Sequence, residues 1–332
     1  MNDSLSIVSG GHAERSDASP GIAIVTGSKG QDGSYLRDLI GHEQTVGCIN
    51  PKQKSSNTDS GKEISIDLGD KRLVLDLLSQ IRPTSIFHLA AKHGPSTKMT
   101  YNPEDIMAMN RIHVQATRNF LECIDELGLE THLVVAGSSR VFTPTKSITV
   151  VTEQSEPNPT DYYGESKVEA WELVRHHRRE NNVRASYLIL FNHESPRRPK
   201  GYFSQDIAQA IQNFRSGNSR EILVRDADFL GDWSDARDAT ALMAKVASSK
   251  SGGDFIVASG TLQSVRNVVD TTLNALGHFQ VPVTSTSYAQ SKESRNFLKA
   301  DNSRSIESGH WVEKIKIHET ILEILSSGTK QS

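Results

Sequence analysis

Residues 21–195 alternate between two patterns of hydrophobic and polar positions. Short continuous apolar runs, typical of buried strands, are separated by stretches in which apolar residues recur every three or four positions, as on one face of a helix. The runs predict strands at Ile22–Thr26, Thr45–Ile49, Ile64–Leu68, Ser85–Ala91, His132–Ala136 and Ala185–Phe191. The longer stretches predict helices at Gly33–Ile40, Lys71–Gln80, Pro103–Leu127 and Tyr163–Arg179. This alternation predicts an α/β fold, a doubly wound parallel sheet with helices on both faces.

After residue 195 the pattern loosens, because Pro196, Pro199 and Gly201 interrupt it. Shorter elements follow at Asp206–Phe214, Ile222–Val224, Asp235–Ser248, Asp254–Ala258, Val265–Leu276 and Val312–Leu325. We expect a nucleotide-binding domain over 21–195 and a smaller, mostly helical substrate lobe over 196–332, interleaved with the last strands of the sheet. Residues 1–20 lack a continuous apolar segment and carry mixed charge, which predicts a disordered tail and argues against a signal peptide.

The composition is that of an ordinary globular protein. Of the 332 residues, 36% are hydrophobic and 23% are charged, and the formal net charge is -3. This charge gives no reason to expect nucleic acid or an anionic membrane as a partner, and no apolar run approaches the roughly 20 residues that span a bilayer. The two cysteines, Cys48 and Cys123, lack metal-ligand spacing, so we expect no metal site. We expect both to be reduced core residues of a cytoplasmic protein.

A glycine-rich turn, TGSKGQDGSYL, separates the first strand from the first helix. Glycine at Gly27, Gly30 and Gly33 lets backbone N–H groups approach a pyrophosphate, and the following helix directs the positive end of its dipole at the same point. Three glycines occur in many turns, but after the first strand of a βαβ unit they predict a Rossmann-type dinucleotide site.

The end of the second strand favours one dinucleotide over another. An NAD site usually places a carboxylate there for the ribose 2′-hydroxyl. Here Ile49 is followed by Asn50-Pro51-Lys52-Gln53-Lys54, which offers two lysines and no carboxylate. The sequence therefore favours NADP(H) over NAD, with a solvated basic loop as the alternative interpretation.

Tyr163 and Lys167 form a Tyr-x-x-x-Lys pair on a predicted helix, so both side chains share one face. A lysine beside a phenol lowers its pKa and makes a tyrosinate usable as a base near neutral pH. Ser138, at the end of the preceding strand, completes a Ser/Tyr/Lys set. This pair recurs by chance in many helices. Because it follows a predicted dinucleotide-binding turn here, it indicates a catalytic set.

These residues resemble the extended short-chain dehydrogenase/reductase superfamily, and within it the GDP-mannose 4,6-dehydratase family. The resemblance covers roughly residues 21–311, and the block FNHESPRR at 191–198 is its most specific part. It implies that Gly27 to Gly33, with Gln31 and Asp32, hold the cofactor pyrophosphate. Further cofactor contacts are implied at Lys52, Asp67, Leu68, Leu89, Ala90, Ala91, Tyr163, Lys167, His193 and Arg198.

Departures from the family pattern concern the substrate side. Where the family has Thr-Ser-Glu, this chain has Ser138-Ser139-Arg140, and an arginine cannot take the proton that the glutamate removes from C5. A family arginine is replaced by Gly231, and an Arg-Pro-x-Glu stretch by Ser291–Ser294. The resemblance implies substrate contacts at Ser139, Arg140 and Asn192. For Arg140, binding an anionic sugar substituent and turning outward to a surface carboxylate remain alternatives.

The favoured function is NADP(H)-dependent oxidoreduction at C4 of a nucleotide sugar, GDP-linked by resemblance, in a reductase or epimerase. The first alternative is a 4,6-dehydratase with a relocated base, for which His93, Glu165 or Glu194 would have to serve. The second is a catalytically silent nucleotide-binding homologue. The helices at 103–127 and 163–179 correspond to the dimer interface of the superfamily, so a homodimer or homotetramer is expected.

Overall fold

The computed structural model describes residues 21–51, 62–92, 100–286 and 295–328. Its strands are β1 Ala23–Thr26, β2 Thr45–Ile49, β3 Glu63–Ser65, β4 Ser85–His88, β5 His132–Ala136, β6 Ile148–Val151, β7 Ala185–Leu190, β8 Asn192–Glu194, β9 Ile222–Val224, β10 Leu230–Gly231, β11 Trp233–Asp235, β12 Asp254–Val257, β13 Gln263–Ser264, β14 Val283–Ser285 and β15 Phe297–Ala300. Its α-helices are α1 Gln31–Ile40, α2 Lys71–Ile81, α3 Pro103–Met109, α4 Ala116–Glu126, α5 Tyr162–Glu180, α6 Phe203–Arg215, α7 Ala236–Ala247, α8 Val265–Ala275, α9 Ser303–Glu307 and α10 Ile317–Gly328.

Seven of these strands form one sheet in the order β12-β7-β5-β4-β1-β2-β3, and every pairing in it is parallel. The predicted doubly wound α/β fold is confirmed. The chain leaves β1 towards β2 on one side and enters β4 on the other, so a crevice opens at the carboxyl ends of β1 and β4. Crevices at such a reversal of strand order are where open α/β sheets bind ligands.

The sheet buries a separate apolar layer on each face. One layer includes Val74 of α2, Phe120 of α4 and Trp171 of α5. The opposite layer includes Leu36 of α1 and Leu242 of α7. Both α7 and the edge strand β12 lie after residue 195, so the later part of the chain completes the seven-stranded sheet.

A third apolar cluster lies under the smaller lobe, where α6, α8 and α10 pack around Trp233. Phe203 stacks on the Trp233 ring with a centroid distance of 4.2 Å. Asp235 connects this lobe to the chain end, because its carboxylate accepts a hydrogen bond from Thr320 at 2.6 Å and pairs with Arg237 at 2.8 Å. The buried carboxylate is thus satisfied on both oxygens.

Some element ends differ from the prediction for identifiable reasons. Strand β4 ends at His88 because the N–H groups of Leu89 and Ala90 donate to Thr26 Oγ1, at 3.1 and 3.0 Å, and leave the ladder. Residues 312–315 are not helical, since the Asp238 carboxylate accepts from the Lys314 and Ile315 N–H groups. The long predicted helix over 103–127 is interrupted by a π-helical turn at Asn110–Gln115.

Candidate active site

The glycine turn leaves its backbone open towards the crevice. Gly27 has φ +66°, and its carbonyl accepts from Gly30 N at 2.9 Å. A Cβ at Gly33 would lie 2.4 Å from Gly27 O, so a side chain there would displace the turn. The residue before α1 is Gly30, which has no side chain to cap the helix. The first N–H groups of α1 are therefore directed at the crevice, as in a phosphate-binding turn.

The side chains of this turn are bonded to the loop after β7. His193 Nε2 lies 2.9 Å from Asp32 Oδ2, and Ser195 donates to Gln31 Oε1 at 2.8 Å. Burial alone would raise the pKa of Asp32, but attraction to His193 and the hydrogen bond between them outweigh it and leave the pKa lowered. The same pair raises the pKa of His193 against the effect of burial. This ion pair fixes the FNHESPRR loop against the turn.

Two buried polar atoms near this turn have no hydrogen-bond partner among the described residues: Ser28 Oγ and Arg198 Nε. Arg198 is close enough to Asp32 to lower its pKa, and its guanidinium lies over the Tyr202 ring at 4.1 Å. Unsatisfied buried donors usually await a ligand or water. Because the Ser28 side chain packs against Gly47 of β2, only Arg198 of these two residues fits the anionic phosphates of a dinucleotide.

The residues after β4 lie against the glycine turn, since a Cβ at Gly27 would be 3.0 Å from Ala90 Cα. Leu89 and Ala90 are half-buried and Ala91 is exposed. Thr26 Oγ1 accepts from Leu89 N and Ala90 N and donates to His88 Nδ1 at 2.9 Å, while His88 Nε2 donates to Ile112 O at 2.9 Å. This network holds these residues at a fixed distance from β1.

At the far end of the crevice, Arg111 binds the Asp67 carboxylate through Nε at 3.0 Å and Nη2 at 2.6 Å, and this pairing lowers the pKa of Asp67. The Leu68 side chain is in the apolar core, so an adenine could meet only its backbone. Lys29, on the glycine turn, is 38% exposed and pairs with Glu63 at 3.2 Å. Lys52 lies outside the described residues.

The structure brings Ser138, Tyr163 and Lys167 together at the carboxyl end of β5. The Ser138 hydroxyl is close enough to lower the pKa of the Tyr163 phenol, and Lys167 Nζ lies 5.9 Å from the Tyr163 ring centroid. Lys167 is 4% exposed and donates to Ala136 O at 2.8 Å. A Cβ at Gly137, between the strand and Ser138, would lie 2.3 Å from the Tyr187 ring, so glycine is required there.

The protonation states differ from the sequence-based expectation of a tyrosinate promoted by lysine. Burial lowers the pKa of Lys167 to about 7. Burial also raises the pKa of Tyr163, although the hydrogen bond from Ser138 and the charge of Arg140 oppose it. In the protein alone Tyr163 is therefore a neutral phenol at neutral pH.

Arg140 does not turn outward to a surface carboxylate, which was one of the two alternatives that the sequence left open. Its Nη2 pairs with Asp161, whose side chain is only 5% exposed, and donates to Tyr101 OH at 3.2 Å. Asp161 also caps α5 by accepting from Gly164 N at 2.9 Å. The guanidinium lies over the Tyr163 ring, 4.8 Å from its centroid. The partner is a buried carboxylate of the site itself, and the arginine stays beside the phenol.

Of the three residues considered as alternative bases, the structure describes Glu165 and Glu194. Glu165 is exposed, because two residues along a helix from Tyr163 it points to the opposite side. Glu194 is buried, accepts from Ser204 N and Oγ at 3.1 and 2.6 Å, and faces Arg198 Nε at 3.8 Å. Glu165 is thus wrong as a base, and Glu194 is committed to the start of α6. His93 lies outside the described residues.

Two further residues, Asn192 and Ser139, were predicted to contact substrate. Asn192 is exposed and its side chain donates to Asp232 O at 3.4 Å, while Ser139 is half-buried. A Cβ at Gly231 would lie 2.5 Å from the Trp233 indole, so the arginine of the family pattern does not fit the present packing. Ser291–Ser294 lie outside the described residues.

Sequence reasoning missed Asp161 and His113. Asp161 precedes the predicted helix in the position of a cap and was identifiable from that pattern. The His113 ring meets the Tyr163 ring edge to face at 5.4 Å, bonds Ser166 Oγ through Nδ1 at 2.9 Å, and accepts from Lys92 N through Nε2. No local signal in the sequence marks His113, because its neighbours come from two other elements.

Comparisons with known proteins agree on the type of fold. A family model described as GDP-mannose 4,6 dehydratase matches residues 24–322. A GDP-mannose 4,6-dehydratase of Vibrio cholerae is 28% identical over 278 residues, covering 77% of this chain and 72% of the relative. The Bordetella bronchiseptica enzyme WbmG in complex with NAD has a TM-score of 0.74 at 20% identity, over 95% of this chain and 96% of that chain. RMD from Pseudomonas aeruginosa complexed with NADPH has a TM-score of 0.72 at 20% identity, over 94% and 100%.

Proposed function

Because this chain belongs to the GDP-mannose 4,6-dehydratase family, and is therefore a nucleotide-sugar-modifying enzyme, we propose that it oxidises or reduces C4 of a GDP-linked sugar as a reductase or epimerase. The observation that carries the proposal is the ion pair between Arg140 and Asp161, beside the assembled Ser/Tyr/Lys set. Ser138, Tyr163 and Lys167 are assembled, whereas the position of the family's glutamate holds an arginine that is paired with Asp161. Proton transfer at a sugar hydroxyl is retained, and removal of a carbon-bound proton is lost.

In this mechanism a bound nicotinamide dinucleotide supplies the hydride donor or acceptor. For reduction, Tyr163 gives its phenolic proton to the C4 carbonyl oxygen, and Ser138 donates a hydrogen bond to the same oxygen. For oxidation, the phenolate takes the C4 hydroxyl proton. Lys167, held by Ala136 O and with a pKa of about 7, can exchange protons near neutral pH and restore the phenol.

We propose NADP(H) as the cofactor in preference to NAD(H). Residues 50–54, directly after β2, include Lys52 and Lys54 and no carboxylate. Nicotinamide-dinucleotide binding is supported by the turn, and both NAD and NADPH occur in the structural neighbours. Titration of the purified protein with NADPH and NADH should give tighter binding of NADPH. Tighter binding of NADH would refute the preference.

The phosphates of the proposed GDP-sugar would lie between Asn192 and the Ser139-Arg140 segment. Asn192 is the first residue of β8, which pairs with β11 of the smaller lobe, so this position lies at the junction of lobe and sheet. We further propose a homodimer or homotetramer formed through the outer faces of α4 and α5. Its place of action is proposed to be the cytoplasm, since Cys48 and Cys123 are both free and buried.

The test of the reaction uses two substrates. With NADPH and a GDP-4-keto-6-deoxyhexose, a reductase should lower the NADPH absorbance and yield a C4 alcohol. With GDP-mannose, whose C4 carries a hydroxyl, an epimerase should form the C4 epimer without net consumption of the nicotinamide. From GDP-mannose, the protein should release little 4-keto product. Robust release of a 4-keto-6-deoxy nucleotide from GDP-mannose would instead establish a 4,6-dehydratase. Failure with both substrates, together with normal NADPH binding, would favour the silent homologue.

A further inference from the structure

We propose that Arg140 is a positioning residue that stabilises the ionised form of Tyr163 and supplies the fixed positive charge that Lys167 alone would otherwise provide. This inference rests on the proposed function, because it concerns how the same phenol is prepared for proton transfer. It assigns Arg140 a role towards the enzyme's own side chain, in addition to any contact with substrate.

The Arg140 guanidinium lies nearer to the Tyr163 phenol ring than the Lys167 ammonium does. Arg140 Cζ is 4.8 Å from the Tyr163 ring centroid, and Lys167 Nζ is 5.9 Å away. Arg140 keeps its charge at every working pH. Lys167 has a pKa of about 7, so it is mostly neutral at the higher pH values where a phenol ionises. The arginine is therefore the cation present when Tyr163 loses its proton.

Asp161 and Tyr101 hold this cation in place. Arg140 Nη2 contacts both side chains, and Asp161 is itself fixed by accepting from Gly164 N at 2.9 Å. The guanidinium lowers the pKa of Tyr163 by more than the Asp161 carboxylate raises it. An arginine with a surface partner would be free to turn away, whereas this partner is buried beside the phenol.

Apart from Lys167, the other groups that face Tyr163 supply no positive charge. Ser138 is a neutral hydroxyl group, and the Tyr101 phenol raises the pKa of Tyr163 by less than the Arg140 guanidinium lowers it. His113 accepts from Lys92 N through Nε2, so that nitrogen carries a lone pair and the ring is neutral. Tyr187, on β7, donates its phenolic proton to Lys167 O at 2.8 Å, and burial raises its pKa well above the usual value.

The decisive measurement is the pKa of the Tyr163 phenol in the cofactor-free protein. It is obtained from ultraviolet difference absorption of the ionised phenol, with the titration of Tyr163→Phe subtracted. In Arg140→Gln the pKa should rise by about one or more, the usual effect of a neighbouring unit charge. Arg140→Lys should restore most of the shift. Arg118→Gln, which removes an arginine of α4 paired with Glu169 of α5, should leave the Tyr163 pKa unchanged.

Two further variants separate the charge from its surroundings. Arg140→Gln also leaves Asp161 unpaired, so the double variant Arg140→Gln/Asp161→Asn removes both charges and keeps a helix cap. Its Tyr163 pKa should still exceed the wild-type value. Lys167→Met should raise the pKa by less than Arg140→Gln does. A wild-type value in the double variant, or a larger shift in Lys167→Met, would overturn the proposal.

All of these Tyr163 pKa values are measured without turnover, so they do not depend on the substrate. A protein with the predicted phenol titration but no activity on any GDP-sugar would refute the proposed function and leave this inference standing. Activity at C4 together with a Tyr163 pKa that does not change in Arg140→Gln would refute this inference and leave the proposed function standing.

Discussion

Acidification should destabilise this protein through His132, a fully buried histidine at the start of β5. His132 Nδ1 donates to Ala247 O at 3.2 Å, and Nε2 faces Ser186 Oγ at 2.9 Å. Ser186 Oγ already accepts from Gly253 N at 3.1 Å, so its own proton is directed to the imidazole. A second proton on the ring would leave that hydroxyl without an acceptor. Burial and the nearby Arg184 charge lower the pKa of His132 to about 4.

The magnitude follows from the difference between folded and unfolded states. An unfolded histidine has a pKa of about 6.5, so below that pH the unfolded chain binds a proton that the folded protein excludes. Stability is therefore complete above about pH 6.5, falls as the pH is lowered and levels off below about pH 4. A pKa difference of about 2.5 corresponds to about 3 kcal/mol in full, and to about 2 kcal/mol between pH 7 and pH 5.

Urea unfolding of wild type and His132→Gln at about pH 7 and pH 5 measures this contribution. The glutamine retains an acceptor for Ser186 but does not titrate. Its free energy of unfolding should fall by about 2 kcal/mol less than that of wild type over this interval. His176→Gln, at an exposed position of α5, is the matched control and should keep the wild-type dependence. Equal losses in wild type and His132→Gln would refute the reasoning.

His88 and His193 contribute to the wild-type curve in opposite directions. Burial, with the charge of Lys167, lowers the pKa of His88 to about 4, so its contribution is lost on acidification in the same pH window as that of His132. The pKa of His193 is raised by Asp32, so its contribution is present below about pH 6.5 and is lost as the pH rises through the folded pKa. Both contributions cancel when the stability of wild type is compared with that of His132→Gln, because His88 and His193 are present in both proteins.

Further predictions concern the site and the assembly. Tyr163→Phe should lower turnover on the order of a hundredfold or more while NADPH still binds, and near-normal turnover would place the chemistry elsewhere. Gly33→Val should abolish dinucleotide binding, because its Cβ would lie 2.4 Å from Gly27 O; wild-type affinity by fluorescence titration would contradict this. Arg140→Glu should not create dehydratase activity on GDP-mannose, since Gly231 and Ser291–Ser294 also differ from the family; a 4-keto product would show otherwise. Light scattering should give a dimer or tetramer, and a monomer at all concentrations would exclude it.

The sequence alone determined the parallel sheet and the position of the crevice. A buried strand, a glycine turn and an amphipathic helix are each encoded by neighbouring residues, and parallel strands bring their carboxyl ends to one edge. Gly27, Ser138 and His193 each follow a predicted strand, so their meeting at that edge was foreseeable. The same local reasoning identifies Glu165 as facing away from Tyr163, through the helical period, although the chemical search for a base included it.

Only the tertiary structure decided the charges of the site. The partner of Arg140 is 21 positions away in the chain, and the pair forms because the loop after β5 and the start of α5 are packed together. The pKa values of Tyr163 and Lys167 depend on how fully their neighbours exclude water. Desolvation and the direction of a side chain are properties of the packed interior, to which several distant segments contribute, and the order of residues along one segment does not contain them.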